Sequence, residues 1–62
     1  MKMTKKLAKA IVERNKDNTA YFDKSMTRND MYEMLRFRMG FGNAEAEVII
    51  SALVLAGAQF KE

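Results

Sequence analysis

The sequence of 62 residues contains no cysteine, histidine, tryptophan or proline. Without cysteine there is no disulfide, and without cysteine and histidine there is no Cys/His zinc site. The same absences exclude catalysis by a histidine base or a cysteine nucleophile. A single core in so short a chain is usually reinforced by a disulfide, a metal or a partner. Of these three means of stabilisation, a protein partner is the one that remains compatible with the composition.

The sequence also lacks a long hydrophobic run. Its longest apolar stretch covers residues 48–57, interrupted by Ser51, which is about half of the ~20 residues that a transmembrane helix needs. Residues 1–9 resemble the basic start of a signal peptide, but Lys9 and Glu13 break the apolar stretch that should follow. We therefore expect one soluble, cytoplasmic domain without membrane association.

Positive charge is concentrated at the start of the chain. Residues 1–16 hold six basic side chains and one carboxylate, a net charge of +5, whereas residues 17–62 hold five basic and seven acidic side chains, a net charge of −2. The first segment has the apolar periodicity of an amphipathic helix over about residues 4–17. Its predicted apolar face consists of Met3, Leu7, Ala10 and Ile11.

The lysines on the opposite face of this helix are the best functional candidates. Several ammonium groups on one face neutralise phosphates and give a salt-sensitive, sequence-independent affinity for nucleic acid. A solubilising face and a surface for an acidic protein partner use the same charges, and both interpretations stay open. The candidate nucleic-acid-binding residues are Lys2, Lys5, Lys6, Lys9 and Lys16.

A second helix is predicted over residues 28–39. Thr27 and Asp30 have the spacing of a capping box, in which the threonine oxygen accepts from the backbone N–H three residues later. Gly40 can adopt the left-handed conformation that ends a helix. These signals mark both ends of the element.

A third helix is predicted over residues 44–56, with Asn43 as its N-cap. From residue 48 onward it is apolar on nearly all sides, which is typical of a helix that is buried on all sides. Two short neighbouring helices cannot cover it, so we expect it to contact a second copy of the chain or another protein. The predicted interface residues are Val48, Ile49, Ala52, Val54 and Leu55.

Two further groups of side chains invite a functional interpretation. Tyr21 and Phe22 can stack on nucleic-acid bases, although the favoured interpretation is that at least one of them fills the core. Arg38 lies on the apolar stripe of the second helix, and we expect it to pair with Glu45 or Glu47 across the turn. The acidic side chains form no catalytic constellation, because each helical pair is explained by capping or by solvation.

Three stretches of residues 27–54 share a pattern: a capped helix at 27–35, a glycine followed by a large apolar residue at 40–41, and a helix with an alanine near its start at 46–53. This pattern resembles the N-terminal helical hairpin of the HU/IHF family. There the hairpin forms much of an intertwined dimer body, so the resemblance implies a homodimer. The family's DNA-gripping β-arms have no counterpart in these residues, and none of its DNA contacts is carried over.

The order of helix, extended piece, helix, glycine-containing turn and helix is also similar to a winged helix-turn-helix domain that lacks its wing. In that resemblance, residues 43–56 correspond to the recognition helix. Its leading residues include Glu45 and Glu47, whereas reading the major groove requires hydrogen-bond donors at the helix start. We therefore expect no base-specific recognition by this helix.

Together these features predict an all-α fold, a compact domain of three helices with an optional two-stranded pairing of residues 20–24 with 58–61. The leading hypothesis is a small, non-enzymatic, nucleic-acid-associated regulatory protein without cofactor, metal or small-molecule substrate. Its size and composition suit a phage or mobile-element accessory protein. The alternative is an interaction module or inhibitor that acts on a partner protein through the third helix without contacting nucleic acid.

Overall fold

The computed structural model describes residues 3–61, and within that range the chain forms helices and no strands. The expected compact all-α domain is confirmed, with a radius of gyration of 10.6 Å. The elements are α1 (Lys5–Arg14), α2 (Lys16–Thr19), α3 (Arg28–Glu33), the π-helical segment π1 (Met34–Arg38) and α4 (Asn43–Leu55). α4 is the central helix, since α1, α3 and π1 all pack against it.

The first predicted helix is divided into two pieces. α1 begins at Thr4, whose Oγ1 accepts a hydrogen bond of 3.1 Å from the backbone N–H of Leu7. It ends at Asn15, which leaves the helical conformation and donates from its side-chain Nδ2 to the Ile11 carbonyl at 2.9 Å. Asparagine side chains compete in this way with the backbone ladder. The short helix α2 follows as a separate turn.

The second predicted helix begins at the expected position. The Asp30 N–H donates to Thr27 Oγ1 at 3.1 Å, and the Thr27 N–H donates to Asp30 Oδ2 at 3.0 Å. The predicted capping box is therefore confirmed, with aspartate in the place that glutamate usually takes. It satisfies two backbone donors that the first turn of a helix leaves without partners.

The last turn of this helix is wider than an α-helix. The Met39 N–H donates to the carbonyl of Met34, five residues earlier, at 3.1 Å, which is the hydrogen-bond spacing of a π-helix. Gly40 then takes a φ of +77°, in the left-handed region that a residue without Cβ adopts at little cost. The helix therefore ends at the predicted glycine, after a π turn that the sequence did not indicate.

The start of α4 differs from the prediction in its cap. Gly42 is the N-cap, and its N–H donates to Glu45 Oε1 at 3.4 Å. Asn43 is the first helical residue, and its Oδ1 accepts a hydrogen bond of 2.9 Å from the hydroxyl of Tyr32. Asn43 therefore ties α3 to α4 instead of capping α4.

α4 ends in a Schellman motif, with Gly57 as the left-handed residue. Gly57 has a φ of +107°. The Ala58 N–H donates to the Leu53 carbonyl at 2.9 Å, and the Gly57 N–H donates to the Val54 carbonyl at 3.1 Å. Both bonds satisfy carbonyls that the last turn would otherwise leave unpaired.

The predicted two-stranded pairing of residues 20–24 with 58–61 is wrong. The tail after α4 returns to the connector between α2 and α3, but the Lys61 N–H donates to the Met26 carbonyl in a single backbone hydrogen bond of 2.9 Å. A strand pair requires a ladder of such bonds. The two segments are neighbours without forming a sheet.

The core lies between α3, π1 and α4. Its buried members are Met31, Leu35, Ala46, Ile49 and Leu53. Phe22 and Phe60 pack against this cluster and meet edge to face, with ring centroids 4.9 Å apart. The expectation that at least one of Tyr21 and Phe22 fills the core is therefore confirmed for Phe22.

α1 presents a different face to the core than its large apolar residues predict. Ala8 is completely buried and Val12 packs against the core, whereas Leu7 is 41% exposed and Ala10 is exposed. Of the predicted apolar face, Met3 and Ile11 are half-buried, whereas the prediction is wrong for Leu7 and Ala10. Ala52 on α4 is also completely buried, and small side chains on both helices permit close packing of the two backbones.

Candidate nucleic-acid interface

The basic candidates on α1 and α2 are all exposed where the structure describes them: Lys5, Lys6, Lys9 and Lys16. Lys2 lies outside the described residues. Lys5 and Lys9 are four residues apart and therefore share one face of α1, about 6 Å apart along the axis. Lys6 follows Lys5 directly. The first half of α1 thus presents three ammonium groups on a short stretch of surface.

Local acids reduce the charge of the second half of this surface but not of the first. No acidic residue lies in the first turn of α1, whereas Glu13 and Asp17 are exposed next to Arg14 and Lys16. A helix N-terminus carries a partial positive charge of its own. Lysines at this end add to the positive electrostatic potential of the helix N-terminus, whereas acidic side chains would reduce it. The first half of α1 is therefore a surface of positive potential.

The predicted interface on α4 divides into two sets. Ile49 and Ala52 are 4% and 0% exposed, so they belong to the chain's own core and do not reach a partner. Val48, Val54 and Leu55 are 44%, 36% and 41% exposed. Val48 and Leu55 are seven residues apart, two helical turns, and therefore share one face of α4.

A groove of about 390 Å³ lies between the second half of α1 and the first half of α4. Ile11 and Val48 contribute apolar side chains to it, and Arg14 and Glu45 contribute opposite charges. Phe41, from the turn before α4, lies at the same groove. The site is apolar enough to receive a side chain from a partner.

Arg38 occupies a different position from the one predicted. It lines a smaller pocket of about 260 Å³ with Tyr21, Met34 and Met39, while Glu45 accepts from the N–H of Gly42 at the cap of α4. The structure thus places Arg38 beside an aromatic ring that is 66% exposed. Neither Glu45 nor Glu47, the predicted partners of Arg38, lines this pocket.

The sequence analysis missed a cluster of arginine and aromatic side chains on α3 and π1. The guanidinium carbon of Arg36 lies 5.3 Å from the ring centroid of Phe37 and 6.0 Å from that of Tyr32. Phe37 is 73% exposed, the most exposed of the large hydrophobic side chains in residues 3–61. The triplet Arg36-Phe37-Arg38 was the available signal, because an aromatic residue between two arginines is typical of nucleic-acid and protein contacts.

Comparison of the chain with protein-family models, curated proteins and solved structures returned no match. The likeness of residues 27–54 to the HU/IHF hairpin, and the likeness of the helix order to a winged helix-turn-helix, therefore stay resemblances. None of the helices in residues 3–61 has the length and apolar character that crossing a bilayer requires.

Proposed function

We propose that this protein is a small, non-enzymatic, nucleic-acid-associated protein that binds phosphates through α1 without reading base sequence. The observation that carries the proposal is the group of exposed lysines in the first half of α1, Lys5, Lys6 and Lys9, beside a helix start without acids. Such a group attracts a polyanion through counterion release, which every sequence offers equally. Lys2 and Lys16 extend the same basic segment.

The proposal assigns no base reading to α4. Glu45 and Glu47 are exposed near its start, and carboxylates there repel the phosphates that flank a groove. Glu45 is also engaged with the N–H of Gly42. The α4 surface is therefore assigned to protein contacts, and α1 to nucleic acid.

Fluorescence anisotropy with labelled probes tests this function. At about 50 mM salt, we expect single strands and duplexes of about 20 nucleotides to bind with micromolar dissociation constants, and two probes of unrelated sequence to bind equally. Absence of binding to every probe at this salt concentration would remove the proposal. A large preference for one sequence would contradict the phosphate-only mode.

A second function is favoured by the exposed apolar residues of α4. Val48 and Leu55 lie on one face, and the groove beside Val48 carries both Arg14 and Glu45. A surface with one charge of each sign can pair with a copy of itself across a two-fold axis. We therefore propose that α4 mediates a homodimer, with binding of a different protein partner as the alternative use of the same face.

Lysine substitutions on this face test the association. We expect Val48→Lys combined with Leu55→Lys to convert the dimer into a 7.1 kDa monomer, because two charges would be buried without partners. Sedimentation at tens of micromolar, without nucleic acid, measures this. Tyr21→Lys is the control, since it adds a charge at another exposed ring. A wild-type monomer, or a dimer that survives both substitutions, contradicts the homodimer.

A further inference from the structure

The arginine–aromatic cluster on α3 and π1 has a defined geometry. Arg36 lies near two rings, 5.3 Å from the centroid of Phe37 and 6.0 Å from that of Tyr32. Both distances are within the range of cation–π contact. The guanidinium and the two rings therefore form one continuous surface, which we call the Arg36 platform (Tyr32, Arg36 and Phe37).

The platform is held in place from the side of α4. The hydroxyl of Tyr32 donates to Asn43 Oδ1 at 2.9 Å, which fixes its ring against the first residue of that helix. Arg36 lies one turn after Tyr32. Its Nε is buried and finds no hydrogen-bond partner within residues 3–61. Burial of this atom holds the guanidinium close to the helix surface, next to the two rings.

The side chain of Phe37 is largely exposed to solvent. It is 73% exposed on a helix whose opposite side carries Leu35, which is completely buried. It also lies within the π-helical turn, a feature that is frequent at functional sites. Arg38, the residue after Phe37, lines a separate pocket together with Tyr21, whose ring is 66% exposed.

Two acidic side chains of α3 accept local hydrogen bonds, which do not cancel their charge. Asp30 accepts from the Thr27 N–H in the capping box at 3.0 Å. Glu33 lies four residues before Phe37 and accepts a hydrogen bond of 3.4 Å from Asn29. Within π1 itself the charged side chains are Arg36 and Arg38, which flank Phe37 in sequence.

We propose that the Arg36 platform binds single-stranded nucleic acid, with an unpaired base stacked on Phe37 and adjacent phosphates contacted by the arginines. Exposed rings interleaved with cations are the surface that single strands use, because every base has a face that can stack. In a duplex those faces are covered by neighbouring base pairs. The proposal rests on the proposed function and refines it: α1 supplies general attraction for phosphates, and the platform selects strands whose bases are free.

A single tryptophan placed in the platform tests this directly. The chain has no tryptophan, so Phe37→Trp creates one fluorophore that stacked bases quench. With oligo(dT) of about 20 nucleotides we expect quenching of the tryptophan fluorescence. The quenching should saturate at the same concentration as the anisotropy of the labelled strand. A duplex of equal length should cause no quenching. Gln59→Trp is the matched control, because it places an exposed ring on the tail after α4, where no stacking is expected.

The loss of the ring gives a second readout. We expect Phe37→Ala to weaken binding of oligo(dT) by about 5- to 150-fold, while leaving duplex binding and the melting temperature unchanged. Phe37→Trp retains the affinity, whereas Phe37→Leu, which is apolar but cannot stack, behaves like Phe37→Ala. Equal affinities for oligo(dT) in all three variants would overturn the platform.

The proposed function of α1 and the proposed function of the Arg36 platform can be contradicted independently of each other. If oligo(dT) binds but Phe37→Trp is not quenched, the platform is wrong and the basic surface of α1 stands. If Phe37→Trp is quenched but replacement of Lys5, Lys6 and Lys9 changes nothing, the function of α1 is wrong and the platform stands. A response of Phe37→Trp to poly-glutamate and not to oligo(dT) would assign the platform to an acidic protein, which also overturns the proposal.

Discussion

Replacing Lys5, Lys6 and Lys9 together with alanine is expected to weaken nucleic-acid binding by between about tenfold and a thousandfold at 50 mM salt. Each lysine that neutralises a phosphate releases a counterion, and this gain is largest at low salt. The three side chains are exposed, and alanine has the highest helix propensity, so α1 should keep its fold. Anisotropy with a labelled single strand of about 20 nucleotides measures the loss, and circular dichroism checks the helix.

The matched control removes the same charge elsewhere. Lys24, Arg28 and Lys61 are exposed and lie outside α1 and α2, so their replacement with alanine gives the same net charge as the α1 variant. Because phosphate contacts act locally over about a Debye length, we expect this control to lose at most about threefold in affinity. Equal losses in both variants would show that net charge alone, and not α1, attracts nucleic acid.

The replacement Leu35→Ala is expected to lower the free energy of unfolding by about 2–5 kcal/mol. Leu35 is completely buried in the core of the domain, and truncation of a buried leucine costs this amount. A domain of this length has a free energy of unfolding of about 3–9 kcal/mol. The loss is therefore a large fraction of the total stability, and urea denaturation followed by circular dichroism measures it.

Leu7→Ala is the control for this prediction, because it removes the same atoms from a leucine that is 41% exposed. We expect a change below about 1 kcal/mol in the free energy of unfolding. If Leu35→Ala is as stable as Leu7→Ala, the core described around α3, π1 and α4 is wrong. Such a result would also remove the support on which the Arg36 platform stands.

The ends of the later helices were predictable from the sequence because they depend on local chemistry. Thr27 and Asp30 form their capping box within four residues of chain. Gly40 and Gly57 both take positive φ, which other residues avoid. Neither feature requires knowledge of distant contacts. Short-range hydrogen bonding and steric exclusion decide them before the core is assembled.

The inward face of α1 was not predictable in the same way. The apolar periodicity favoured Leu7 and Ala10, which are exposed, whereas Ala8 is completely buried and Val12 packs against the core. A small residue allows two helices to approach closely, and this gain depends on what the partner helix presents. The completely buried Ala52 supplies the corresponding small residue on α4.

The orientation of α4 was undetermined for the opposite reason. Its second half is apolar on nearly all sides, so the sequence pattern does not indicate which side of the helix faces the core. Packing against α1, α3 and π1 selects Ile49 and Ala52 for the interior and leaves Val48 and Leu55 outside. The predicted interface residues were therefore a mixture of core and surface, which only the tertiary arrangement separates.

The π turn and the anchoring of Tyr32 were not predictable from the sequence. The hydrogen bond from Met39 to Met34 widens the last turn of the helix, and no local residue pattern signals such a widening. The contact of Arg36 with Tyr32 follows from their spacing of four residues, whereas the hydrogen bond from Tyr32 to Asn43, eleven residues later, is a product of the fold.

The most direct test of the central claim is the salt dependence of binding by the unaltered protein. The logarithm of the association constant for a single strand of arbitrary sequence should fall linearly with the logarithm of salt concentration, with a slope between about −2 and −4 for three to five neutralised phosphates. A slope near zero, or no binding at about 50 mM salt, would contradict the assignment of α1 to nucleic acid.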